Sequence, residues 1–127
     1  MSTDSAGSDP DVAEVAPGAN SYEKWIRVKI DSAGTQTFTN FWVERSGDLP
    51  DGVDIKLGVT DTPATPTSTT STVATTTMAD GRRYFFDNGS YAADGDYTRY
   101  LVLQEQVASD AASGSIEQQV FTIGYSS

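Results

Sequence analysis

The sequence predicts an all-β fold, an antiparallel β-sandwich of about six to eight strands that follows an extended N-terminal arm. From Tyr22 onward, short runs of alternating apolar and polar residues are separated by Gly, Asp, Asn and Pro, which is the pattern of antiparallel strands joined by turns. No segment carries apolar residues at helical spacing. A length of 127 residues fits one domain. We therefore divide the chain into an arm, residues 1–20, and a β-sandwich domain, residues 21–127.

The arm is acidic and poor in large apolar side chains. It has four acidic residues, no Lys or Arg and no aromatic residue, so it cannot form a core of its own. We expect it to lie on a neighbouring subunit. The interface residues predicted within it are Asp9, Pro10, Val12 and Val15.

The first predicted strand is Tyr22–Ile30. Its alternation places Ile26, Val28 and Ile30 on one face, which we expect to point into the core. Trp25 falls on the opposite, more polar face. An exposed Trp suits a protein interface, so Trp25 is an interface candidate.

The next two predicted strands differ in regularity. In Thr35–Arg45, Phe38 falls on the opposite parity from Phe41 and Val43, and a β-bulge near residues 39–40 would reconcile them. The following strand is fully regular and runs from residue 53 to residue 59. Its inward positions are Val53, Ile55, Leu57 and Val59.

Three more strands are predicted towards the end of the chain. They are Arg82–Phe86, Tyr97–Val107 and Ile116–Tyr125. We expect the last two to form a hairpin through the loop at residues 108–115. Before them, residues 60–77 contain ten Thr and two Pro, which fits either an edge strand or a surface-crossing loop.

The composition argues against catalysis. The chain has no His and no Cys, which removes the commonest general base, the usual nucleophile pairs and most metal ligands. We expect no enzyme activity, no cofactor and no metal. The remaining candidate for calcium is the turn that contains Asp94 and Asp96, but Asp and Gly are also the residues that a tight turn requires.

The charge and hydropathy exclude two classes of partner. Eighteen acidic residues against eight basic ones give a formal net charge of −10, which opposes binding to nucleic acid or to an anionic membrane. No apolar run approaches the ~18 residues of a membrane-spanning helix, and the first residues lack a secretory pattern. The basic pair Arg82 and Arg83 is too small to reverse this balance, so we interpret it as a sheet or interface contact.

The aromatic residues are compatible with a third kind of ligand, a glycan. Planar rings on one face of a sandwich can stack on sugars, although core packing explains most of these residues equally well. The set comprises Trp25, Trp42, Tyr84, Tyr91, Tyr97, Tyr100 and Tyr125.

Several strand-like segments form a combination that spans residues 22–125. It consists of Tyr22–Ile30, Asn40–Val43, Leu49–Val53, the Thr-rich crossing, Tyr100–Gln104 and Phe121–Tyr125. This combination resembles small virion proteins of tailed phages. The resemblance carries strand patterns and no catalytic motif.

The resemblance implies a non-enzymatic subunit present in many copies of a phage particle. We expect a capsid decoration protein that is made in the host cytoplasm, resides in the virion and binds other virion proteins and copies of itself. A single small sandwich with a long arm, without the helix common at connector interfaces, favours decoration of the capsid exterior. The alternatives are a head-to-tail connector, a tail component or a monomeric module that binds a glycan or a protein.

Overall fold

The computed structural model describes residues 18–31, 33–64, 69, 73–111 and 119–127. Within these ranges the chain forms seven strands and no helix, arranged as two antiparallel sheets. The predicted all-β sandwich is therefore confirmed. The predicted contact residues of the arm lie outside the described residues.

The two sheets differ in size and in strand order. One has four strands in the order β1-β6-β3-β4, and the other has three in the order β5-β2-β7. The strands are β1 (Lys24–Ile26), β2 (Thr39–Ser46), β3 (Val53–Thr60), β4 (Thr76–Thr77), β5 (Arg83–Asp87), β6 (Tyr100–Val107) and β7 (Val120–Ser126).

The core lies between the sheets and is built from alternating positions of the longer strands. Each of these strands points every second side chain inward, so a few residues per strand fill the interior. Aromatic packing contributes, with the Phe41 ring 5.7 Å from that of Tyr91 in an edge-to-face arrangement. The buried cluster comprises Ile30, Ala33, Phe41, Val43, Ile55, Leu57, Met78, Phe86, Leu101 and Leu103.

The predicted bulge in the second strand is confirmed. The pairing of β2 with β7 shifts between Thr39 and Trp42, and its pairing with β5 shifts between Phe41 and Trp42. Asn40 adopts a φ of 54°, a left-handed conformation that Asn tolerates better than most residues. The bulge brings Phe41 and Val43 onto the inner face, where both are buried.

Ile26 lies on the predicted inner face, where it pairs with the core residue Leu101, but the burial expected there was wrong. Strand β1 has three residues and pairs on one side with β6, so it is an edge of the four-stranded sheet. Ile26 lies at the end of this short strand and remains 40% exposed. Regular pairing stops there, and farther along the chain Val28 and Ile30 reach the core as expected.

The predicted hairpin between the last two strands was also wrong. Strand β6 lies in the four-stranded sheet and β7 in the three-stranded sheet, so the chain passes from one sheet to the other. Local turn chemistry does not distinguish a hairpin from such a crossing.

The Thr-rich segment contributes both a strand and a crossing. Thr76 and Thr77 form β4 and pair with β3. Just before them, the chain crosses the outer face of the four-stranded sheet so closely that a Cβ on Gly58 would overlap the Val73 carbonyl. The Glu23 carboxylate holds this crossing by accepting hydrogen bonds from the amides of Val73, at 3.0 Å, and Ala74, at 2.8 Å.

A buried Gln completes the cover over this sheet. Gln104 is fully buried in the middle of β6, and its Nε2 donates 2.9 Å hydrogen bonds to the carbonyls of Ser21 and Thr69. Its Oε1 accepts a hydrogen bond from Gln106 at 2.9 Å. A buried amide requires such partners, so Gln104 ties the outer face of the sheet to the segments that cover it.

Candidate protein-interaction surfaces

Trp25 lies on the outer face of the four-stranded sheet. It pairs with Val102 of β6, and its ring lies 6.1 Å from that of Tyr100. The residue is half-buried, and its indole Nε1 is buried with no hydrogen-bond partner. The indole is therefore less accessible than expected for a contact residue.

A cation–π cluster lies next to Trp25 and is more exposed. The guanidinium of Arg27 is 3.7 Å from the ring centre of Tyr97 and 4.8 Å from that of Tyr100. Arg27 is exposed, and Tyr97 is 43% exposed. We call Arg27, Tyr97 and Tyr100 the Arg27 cluster. Arg and Tyr are common among residues that dominate binding energy in protein interfaces.

The second surface covers the outer face of the three-stranded sheet. The Trp42 indole lies flat across Gly124, where a Cβ would overlap the ring. The Arg83 guanidinium stacks on the Trp42 ring at 3.9 Å. Phe85, which pairs with Trp42, is 56% exposed. We call Trp42, Arg83 and Phe85 the Trp42 surface. It adjoins a shallow depression that also includes Asn40, Asn88 and Ser126.

Arg82 and Arg83 have different surroundings. Arg83 belongs to the Trp42 surface, whereas Arg82 is exposed and lies 5.4 Å from the ring of Tyr84. The Tyr84 hydroxyl accepts a hydrogen bond from the Ala79 amide at 2.8 Å and donates one to the Thr77 carbonyl at 3.2 Å. Beside Arg82, the Tyr84 hydroxyl therefore joins β5 to the end of β4 and to the segment that follows it.

The third surface is the exposed side of β7. Ile123 and Tyr125 point towards the interior side of their sheet, yet they are 38% and 55% exposed, and Val120 is 51% exposed. Tyr125 also lines an apolar cleft between the sheets together with Val28 and Phe38. We call Ile123 and Tyr125 the β7 flank; Val120, which pairs with the exposed Ser46, points to the opposite face and is not part of it.

Sequence reasoning found part of these surfaces. It selected Trp25, Arg82 and Arg83 as contact residues. It also included Trp42, Tyr97, Tyr100 and Tyr125 among the possible stacking residues. It missed Phe85, which the alternation of β5 could have placed outward, opposite the buried Phe86. It also missed the exposure of Ile123, because an apolar strand predicts burial unless its position at the edge of a sheet is known.

The Asp87 carboxylate accepts three hydrogen bonds, and these bonds hold two parts of the fold together. Asp87 Oδ2 accepts hydrogen bonds from the Tyr91 hydroxyl at 2.5 Å and the Arg99 amide at 2.8 Å, and Oδ1 accepts one from the Gly89 amide at 2.7 Å. Burial raises the pKa of Asp87, but these hydrogen bonds outweigh it and hold the pKa below its usual value. Burial and the hydrogen bond to Asp87 raise the pKa of Tyr91 to about 12. This cluster connects β5 to the beginning of β6.

The calcium alternative receives no support from the geometry. Asp94 Oδ1 accepts a 2.7 Å hydrogen bond from the Ala33 amide, and Gly95 takes a φ of 91° and donates to the Ile30 carbonyl at 2.6 Å. These contacts belong to a turn that clamps the neighbouring loop. Among the described residues, no group of three or more Asp, Glu, His or Cys side chains is arranged to hold a metal ion.

The part of the chain that the structure describes contains no helix long and apolar enough to cross a membrane. Comparisons with protein-family models, with curated proteins and with solved structures find no significant match.

Proposed function

We propose that the chain is a non-enzymatic structural subunit of a phage particle, a capsid decoration protein that binds neighbouring virion subunits. The observation that carries the proposal is that one small domain presents exposed apolar or aromatic side chains on three separate parts of its surface. These are the Arg27 cluster, the Trp42 surface and the β7 flank. A subunit inside an assembly has several neighbours and needs several contact surfaces.

The composition of two of these surfaces also supports binding to protein. The Arg27 cluster and the Trp42 surface each combine an Arg with aromatic rings. Such residues are enriched at the centres of protein interfaces, whereas scattered Lys and Glu are depleted there. The acidic remainder of the chain keeps the free subunit soluble and opposes non-specific association with nucleic acid.

The Trp42 surface also bears on one alternative, a monomeric module that binds a glycan or a protein. A sugar-binding platform requires an aromatic face that is free for stacking. The Arg83 guanidinium already occupies a position over the Trp42 ring at 3.9 Å, so Phe85 is the ring of this surface that remains available. One small ring gives little area for a glycan, which makes a protein contact the better explanation.

Antibody labelling of intact particles tests the assignment to a virion. Phage particles from a host that carries this gene are purified, and gold-labelled antibodies against the chain are applied for electron microscopy. The proposal predicts regular labelling of the head exterior. Labelling of tails alone would favour a tail component, and unlabelled particles that also lack the chain by mass spectrometry would refute the proposal.

Light scattering on size-exclusion fractions tests the expected role of the arm. The full chain is compared with a variant that lacks residues 1–17. The deletion stops before Gly18, because the Gly18 amide donates a 2.9 Å hydrogen bond to the Val107 carbonyl and belongs to the folded domain. We expect the full chain to form larger assemblies than the shortened one. Equal masses would exclude self-assembly through the arm.

A further inference from the structure

The four edge strands of the two sheets differ in how well they are protected. Edge strands expose unpaired backbone groups, and natural proteins protect them with short strands, charges or bulges. Strands β1 and β4 have three and two residues, which leaves little edge to pair. Strand β5 begins at Arg83, directly after Arg82, and ends at Asp87, so charges flank it.

Strand β7 has none of these protections. It has seven residues, Val120–Ser126, and none of them is charged or Pro. It pairs with β2 on one side, and no described residue pairs with its other side. Ile123 and Tyr125 remain exposed next to this free edge. An additional strand here would satisfy the backbone groups and cover both side chains.

From this arrangement we infer that β7 pairs antiparallel with β7 of a second copy of the chain, across a two-fold axis at Ile123. This inference rests on the proposed function, since it names one of the neighbours that the subunit would bind. The pairing joins two three-stranded sheets into one of six strands.

The sequence of β7 is self-complementary about its middle residue. With the axis at Ile123, all seven residues of β7 pair, Ile123 lies opposite its own copy, and Phe121 lies opposite Tyr125. Aromatic and β-branched cross-strand pairs stabilise antiparallel sheets. Moving the axis by one residue leaves one end of the strand unpaired and separates Phe121 from Tyr125.

Charge explains why a second copy can approach at this strand. The chain has a formal net charge of −10, so two copies repel each other over most of their surfaces. Since β7 has no charged side chain, the pairing places no like charges opposite each other. Physiological salt screens the remaining charges beyond about 8 Å.

Cysteine cross-linking on the full-length chain tests this pairing. The chain contains no Cys, so a single Ile123→Cys substitution introduces one thiol per molecule. In the proposed pair the two Cα atoms would lie about 4.5–5.5 Å apart, within the range that a disulfide spans. Under mild oxidation we expect a covalent dimer for Ile123→Cys. Thr76→Cys, an exposed position on β4 at the edge of the other sheet, is the matched control and should stay monomeric.

The register gives a second readout. Phe121→Cys and Tyr125→Cys should each cross-link slowly when alone, because each then faces a non-Cys residue, and should form a mixed dimer when combined. The inference is overturned if Ile123→Cys cross-links no faster than Thr76→Cys, or if Phe121→Cys alone cross-links as fast as Ile123→Cys.

Sedimentation of chains without Cys provides a measurement that needs no cross-link. The natural chain should show a concentration-dependent dimer, and Ile123→Lys should weaken it by about tenfold or more, because an inward-pointing charge blocks edge pairing. Thr76→Lys, on the edge strand of the other sheet, should leave the dimer unchanged. A natural chain that stays monomeric at all concentrations contradicts the inference. If the chain does not dimerise but phage particles are still labelled by antibodies, only this inference fails. If the chain dimerises but the particles are unlabelled, only the proposed function fails.

Discussion

Gly58 and Gly124 occupy matching positions on the two sheets, and the difference between them shows how the domain is organised. Each glycine lies on the outer face of its sheet, and at each one a Cβ would overlap a neighbouring atom. Over Gly58 that neighbour is the backbone carbonyl of Val73, whereas over Gly124 it is the side chain of Trp42. In the described part of the chain, backbone therefore packs on the outer face of the four-stranded sheet at Gly58, whereas a side chain packs on the outer face of the three-stranded sheet at Gly124.

The side chains on the outer faces of the two sheets show the same contrast. The covered face contains Gln104, which is fully buried and hydrogen-bonded, and Glu23, which holds the crossing segment. The outer face of the three-stranded sheet presents Phe85 and the Arg83 guanidinium to solvent. Among the described residues, the outer face of the four-stranded sheet is therefore partly covered by the chain's own backbone, and that of the three-stranded sheet carries exposed side chains.

The largest expected effect of a single substitution is at Gly58. We expect Gly58→Ala to lower the free energy of unfolding by about 3 kcal/mol, the upper part of the range for overpacked sites, because the Val73 backbone cannot move without losing the Glu23 hydrogen bonds. Urea unfolding followed by circular dichroism measures this. A loss below about 1 kcal/mol would show that the crossing segment is held only loosely.

The second effect concerns the contact that joins the sheets. Asp87→Asn removes a carboxylate that accepts three hydrogen bonds, and we expect a loss of about 2 kcal/mol at pH 7. The folded-state pKa of Asp87 is lowered, so its contribution is present above the unfolded pKa of about 3.9 and disappears as the pH falls through the folded value. The difference between natural chain and variant should therefore shrink in acid.

Asp94→Asn is the matched control for this measurement. Its exposed carboxylate accepts one hydrogen bond, from Ala33, and we expect a loss of under about 1 kcal/mol. If the Asp87 variant lost no more stability than the Asp94 variant, the hydrogen bonds of Asp87 would not be the connection between the sheets that their geometry indicates.

The third effect, at Gly124, is smaller than those at Gly58 and Asp87, and it tests the difference between the two sheets most sharply. Gly124→Ala should cost about 1 kcal/mol, because the Trp42 ring can swing away into solvent. Displacing the ring also disrupts its stacking with Arg83, so Trp fluorescence should change even though the fold is retained. Equal losses for Gly58→Ala and Gly124→Ala would contradict the proposed difference between the sheets.

The sequence predicted the regular parts of the fold well. Strand β3 and the bulge in β2 follow from alternation alone, because inward and outward positions can be counted along the chain. The exposure of Ile26 and Ile123 could not be predicted in this way, since alternation assigns a residue to a face but does not say whether the opposite sheet covers that face.

The candidate surfaces were less predictable than the strands. Arg83 could be selected as a contact residue from its sequence, but its stacking on Trp42 depends on the register between β5 and β2. The β7 flank depends on strand order, which local patterns do not determine: the predicted hairpin would have placed β7 beside β6 instead of beside β2.

Hydrogen–deuterium exchange of the full-length chain at low and high protein concentration tests most directly whether β7 is a contact surface between copies of the chain. The account predicts that exchange in β7, residues 120–126, slows as concentration rises, while exchange in β5, residues 83–87, and in the covered strand β6, residues 100–107, stays the same. Exchange in β7 that does not depend on concentration would contradict self-association through this strand.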